Sequence, residues 1–97
     1  MQEQIEELLS ADAPTLARME DTLTEGYAHA LALEAERWRL ERRLGEVARE
    51  GQTDAAEELR ALGTRLTHAD VELTKLRRLL GSLHERARTA RHAAPRR

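Results

Sequence analysis

The chain has no cysteine and no phenylalanine, and its aromatic residues are Tyr27 and Trp38 alone. Without cysteine there is no disulfide framework and no thiolate chemistry. No stretch approaches the roughly 20 apolar residues of a membrane span, and the first residues carry no basic-then-apolar signal region. A soluble, cytoplasmic protein without membrane contact is the expectation. The two prolines, Pro14 and Pro95, lie near the ends, so nothing between them forbids long helices.

What is present is the composition of such helices. Ala, Leu, Glu and Arg dominate, and 35% of the residues are charged. Ninety-seven residues bound one small domain. The formal net charge of -2 hides an asymmetry. Residues 1–36 carry nine acids against one Arg, whereas residues 75–97 carry seven Arg and the chain's one Lys against a single Glu. If the chain folds back on itself, the acidic start lies against the basic end. The Arg-rich tail lacks aromatic residues for base stacking, so direct nucleic-acid binding is not expected.

Residues 1–12 read as a short acidic N-terminal helix or arm, with Asp12 or Ala13 capping a second helix whose first turn holds Pro14. That second helix runs over 13–50. Along it Leu16, Met19, Leu23, Gly26, Ala30, Leu33, Arg37, Leu40, Leu44 and Val47 recur at alternating steps of three and four. Gly51 ends the run, and Asp54 with Glu57 makes a capping box. Over 54–94 the same steps return in Leu59, Leu62, Leu66, Ala69, Leu73, Leu76, Leu80, Leu83, Ala87, Ala90 and Ala94, and 95–97 form a tail closed off by Pro95.

The expected fold is all-α: an antiparallel two-helix coiled-coil hairpin over 13–94, assembling into a four-helix dimer. Reversal around Thr53 sets Val47 against Leu59, Leu40 against Leu66 and Leu23 against Leu83. Small residues then face large ones at Gly26/Leu80, Ala30/Leu76 and Met19/Ala87, which lets the helices approach closely. Arg37 occupies a seam position, where Asp70 is its obvious partner. Tyr27, Leu31 and Trp38 each follow a seam residue and widen the apolar face of the first long helix, and Leu79 widens that of the second. The apolar face is therefore wider than one partner covers, and these four residues are the expected dimer interface.

An enzyme is not expected. Glu25/His29 and His68/Glu72 have metal-ligand spacing, but chance supplies such pairs in any helix this charged. No phosphate loop or Ser/His/Asp set appears, and neither a metal nor a prosthetic cofactor is expected.

One row on the second long helix stands apart. Asp70, Thr74, Arg77 and Gly81 each lie one place after a seam residue, and Glu85 continues the line. Carboxylate, hydroxyl, guanidinium, bare backbone and carboxylate make a ladder suited to a guanine nucleotide. Arg forks onto guanine O6 and N7. A carboxylate accepts from N1–H and N2–H, and Thr and Arg reach phosphate.

The stretch DVELTKLRRLLGSLHE at 70–85 resembles the RsiG-type anti-sigma factors of actinobacteria. Their helical hairpin binds cyclic di-GMP through Glu-x3-Ser-x2-Arg-x3-Gln-x3-Asp. Asp70, Thr74, Arg77 and Glu85 stand for Glu, Ser, Arg and Asp at the same spacing, and the LRRLL around Arg77 and Arg78 adds to the likeness. Gly81 replaces the Gln, and its amide contact is lost. The resemblance implies a regulatory binding protein that sequesters a sigma factor under cyclic di-GMP control. The ligand residues would be Asp70, Thr74, Arg77, Arg78, Gly81 and Glu85. Glu20-x3-Thr24-x2-Tyr27 begins a second copy of the motif but lacks its Arg, so two chains must meet to build a site. A structural or adaptor coiled-coil dimer with no small ligand stays open as the other reading.

Overall fold

The computed structural model describes residues 1–51 and 53–93, and all three of its elements are helices: α1 (Gln2–Ser10), α2 (Leu16–Glu50) and α3 (Ala55–Ala93). The described residues contain no strand, so the expected all-α class is what is found. Ala94, Pro95 and the expected tail at 95–97 lie outside the described residues.

The ends of the helices follow from local chemistry. The first turn of α2 is capped by Thr15, whose Oγ1 accepts a hydrogen bond from the Arg18 N–H at 3.2 Å, rather than by Asp12 or Ala13. The Met19 N–H donates to the Thr15 carbonyl at 3.0 Å and begins the helical ladder. Pro14 thus precedes the helix instead of opening it, and the cap passes to the first hydroxyl after it. Thr15→Ala is expected to lower stability by about 1 kcal/mol, read from the urea midpoint, whereas Asp12→Ala leaves the midpoint in place. Gly51 follows α2 with φ of 62°, the left-handed conformation that terminates helices and that glycine adopts without strain. Glu57 and Glu58 in the first turn of α3, with Arg91 and His92 in its last, complement the helix dipole.

The chain divides into two compact units. One comprises Met1–Ala30 and Lys75–Arg97. Ile5, Leu8, Met19, Leu23, Ala30, Leu76, Leu80, Leu83 and Ala87 are buried there. Gly26 faces Leu80 as the spacing predicts, so closely that a Cβ on residue 26 would lie 2.4 Å from Leu80 Cδ2 and 3.7 Å from Ile5 Cδ1. Glycine is needed here for room, since Leu80 and Ile5 fill the space where any side chain would sit.

In this unit α1 is a docked element. Ile5 and Leu8, three residues apart, turn one face inward and are its buried residues. The Arg86 guanidinium takes up the carbonyls at its C-terminus. Nη1 donates to Leu8 at 3.3 Å and also to Leu9, and Nη2 donates to Ala11 at 2.6 Å. A cation placed there satisfies orphan carbonyls and complements the negative end of the helix. Lys75 Nζ lies 3.8 Å from Glu6 Oε1, and Arg91 Nη2 lies 3.2 Å from Glu20 Oε1.

The other unit is Leu31–Thr74. Leu40 and Val47 of α2 cluster with Ala55, Leu62 and Ala69, and the half-buried Leu44, Leu59 and Leu66 pack against them. Arg65 reaches Glu36 at 3.1 Å and Arg43 reaches Glu58 at 2.9 Å, so the pairs step up α2 as they step down α3. The hydrogen bond and charge of Glu58 hold the Arg43 guanidinium pKa above its ordinary value. Arg37 departs from the seam expectation: its side chain is 45% exposed, and no charged residue is buried among those described. The long aliphatic stem carries the guanidinium out past the seam, so the cost of a buried charge does not arise.

Candidate ligand-binding edge of α3

The row singled out in the sequence lies on α3 and divides between the two units. In the Leu31–Thr74 unit, Asp70 Oδ1 is held by Arg37 Nε, and Arg37 Nη2 also reaches Glu41 Oε1 at 3.3 Å. Asp70 is therefore one end of a carboxylate–guanidinium–carboxylate chain. All three side chains are about half exposed, the setting in which an ion pair contributes about 0–1 kcal/mol. Thr74 is exposed.

In the other unit Arg77, Arg78, Gly81 and Glu85 are all exposed. Arg77 already has a polar or electrostatic partner within the chain. Glu85 Oε1 lies 3.6 Å from Arg88 Nη1, one turn along α3. A Cβ on Gly81 would meet nothing within 4 Å, so no neighbour in the chain requires a glycine there. A helical glycine in open surroundings costs about 1 kcal/mol relative to alanine. Its presence is unexplained by packing.

Each half of the row, taken by itself, is a set of open side chains on a helix surface. Such a row offers hydrogen bonds but excludes no water, whereas a small-molecule site buries most of its ligand. A nucleotide held here needs a second wall. Family models, curated proteins and solved structures were each compared with the chain, and none matches it. The assignment of this edge therefore stands on its residues.

The expected interface residues separate. On α2, Leu31 is 66% exposed and Trp38 is 60% exposed, seven residues apart and so on one side of the helix. The Arg42 guanidinium lies 5.4 Å over the Trp38 ring, covering one face of the indole. Tyr27, in the other unit, is also exposed. Leu79 is half-buried and offers less surface than its position suggested.

Sequence reasoning passed over Val71, which is 63% exposed. It lies two places beyond Ala69 and off the seam, so no periodicity marks it. It also passed over a shallow depression on α3 lined by Arg60, Gly63, Thr64, Thr67 and His68. There the Thr64 and Thr67 hydroxyls donate to the carbonyls of Arg60 and Gly63, each at 3.0 Å, so both hydroxyl protons serve the helix itself. Among the described residues no group of three or more His, Cys, Asp or Glu gathers as a metal site. No described helix is long and apolar enough to cross a membrane.

Proposed function

We propose that the chain is a cytoplasmic regulatory binding protein. In this reading α2 and α3 form an antiparallel coiled-coil hairpin, two hairpins pair into a four-helix dimer, and cyclic di-GMP binds along the α3 edge. The assembly resembles an anti-sigma factor and sequesters a sigma factor. The observation that carries the reading is the spacing Asp70-x3-Thr74-x2-Arg77-x3-Gly81-x3-Glu85 on one helix, with Thr74, Arg77, Gly81 and Glu85 exposed and Asp70 half exposed. Arg77 is the main guanine contact, Asp70 and Glu85 accept from the base edge, Arg78 supports Arg77, and Thr74 lies near phosphate.

The second wall that the open edge lacks is a second chain, and the exposed Leu31 and Trp38 give that chain an apolar surface to bury. Ligand favours the dimer only so far as it binds the dimer more tightly than the single chain. The Arg37–Asp70 pair does not bar the site, because a half-exposed ion pair is exchanged at little cost.

The same pair favours a second reading, in which the edge is an ordinary charged flank of an adaptor coiled coil. Asp70 is already matched by Arg37, and Arg77 is already engaged. Calorimetric titration of cyclic di-GMP into the chain separates the two: saturable heat supports the regulator, and its absence leaves the adaptor. Gly81→Gln sharpens the test. It restores the amide of the family motif and replaces a helical glycine in open space, so it is expected to tighten nucleotide binding about tenfold through one added hydrogen bond. It is also expected to raise stability by up to about 1 kcal/mol. Added stability with no change in binding would favour the adaptor.

A further inference from the structure

Apolar burial, a guanidinium and an ion pair hold α1 in its groove. Ile5 and Leu8 bury their side chains, Gly26 leaves the notch beside Ile5, Arg86 holds the terminal carbonyls, and Lys75 flanks Glu6. Glu3, Gln4, Glu6, Glu7 and Ser10 are exposed. A nine-residue helix does not keep its shape alone in water, so the groove is what makes α1 a helix. Conversely, the groove is matched to one kind of occupant. Its floor is apolar, a lysine flanks it, and a guanidinium waits at the end where a helix presents free carbonyls. That occupant is a short, acidic, amphipathic helix.

The connector between α1 and α2 is short, running from Ala11 to Thr15. Ala11 is extended, with ψ of 143°, and the pyrrolidine ring of Pro14 fixes its own φ. The chain bends at Ala11, Asp12 and Ala13, so the connector is a short hinge between the two helices. A self-docking element on a short hinge can be exchanged between identical chains, because the contacts made in the partner are the contacts made at home.

We infer that the groove is also filled by α1 of a second copy, so that the arm exchanges between copies of this chain. An exchanged α1 sets Ile5 beside Gly26 and Leu80, places its terminal carbonyls on Arg86, and returns Glu6 to Lys75. Only the connector changes course. Exchange therefore gains nothing within the groove, and it grows with protein concentration and with any other contact between copies. Exposed Leu31 and Trp38 offer such a contact. The inference is independent of nucleotide binding, since no residue of the proposed nucleotide site takes part.

Lys75 is the only lysine in the chain, which makes the exchange measurable. Unlabelled and 15N-labelled full-length chains are mixed, refolded together and treated with a carbodiimide, which joins the Lys75 amine to a neighbouring Glu6 carboxylate with loss of water. After digestion the linked peptide pairs are weighed. Exchange gives pairs of mixed label that increase with concentration towards about half of all pairs. Pairs of uniform label at every concentration would overturn the inference, because each arm then stays in its own groove. Full-length Arg86→Ala is expected to lose the Glu6–Lys75 linkage several-fold, mixed and uniform alike, while the circular dichroism of the long helices persists. Unchanged linkage in that variant overturns the matching of the groove to an α1 terminus.

Discussion

Leu80→Ala is expected to lower the unfolding free energy by about 3–5 kcal/mol, the upper part of the range for deleting a buried leucine. Leu80 is 2% exposed, and the residue facing it is Gly26, which has no side chain to move into the space left behind. A cavity that cannot collapse keeps its full cost. For a domain of this size the melting temperature should fall by more than about 12 °C at fixed protein concentration. The double variant Gly26→Ala/Leu80→Ala is expected to recover about 1 kcal/mol or more. The new methyl meets no clash once Leu80 is shortened, and alanine is the better helix former. A loss below about 1 kcal/mol in the single variant, or strictly additive effects in the pair, would mean that Leu80 and Gly26 are not packed as knob and notch.

Arg77→Ala is expected to abolish cyclic di-GMP binding while leaving the helices intact. A bidentate guanidinium on a guanine edge is worth about 1–3 kcal/mol, and two chains meeting around one ligand lose it twice. The loss should therefore reach about thirtyfold or more in affinity. Stability should hardly change, because Arg77 is exposed and alanine favours helix. Exposed substitutions away from the core stay within about 0.5 kcal/mol, which is less than about 4 °C in melting temperature. If the variant melts several degrees lower with no ligand present, the partner that Arg77 already has inside the chain is its main purpose, and the guanine assignment fails.

Parts of this structure are legible in the sequence because they depend on spacing. The three-and-four steps of leucine and alanine placed the buried faces of α2 and α3, and the smallest seam residue, Gly26, was set against Leu80. The Arg37–Asp70 pair was readable too, since both residues lie at the seam and its edge. Other parts depend on chain geometry that no short spacing encodes. The clamp of Arg86 on Leu8, Leu9 and Ala11 joins residues more than seventy positions apart, and in the sequence Arg86 is one arginine in a basic stretch. The cap of α2 fell to Thr15 because the best capping residue is the one positioned where the ladder starts, and that start lay beyond Pro14. Arg37 takes a seam position by spacing and pairs with Asp70, yet the seam does not bury its charge, since the side chain is about half exposed. For the α3 edge, the row of residue types was legible while its setting was not. Spacing names the side chains that share a side, but it does not say that they stand open to water.

The proposed pairing of two chains around a nucleotide is tested most directly by the molar mass of the chain, followed by light scattering across a cyclic di-GMP titration. The account predicts a rise from the 11.0 kDa of one chain to about twice that value as nucleotide saturates. With Arg77→Ala it predicts no rise. A mass that does not respond to nucleotide would contradict it, and the search would then turn to protein partners of the Leu31 and Trp38 face.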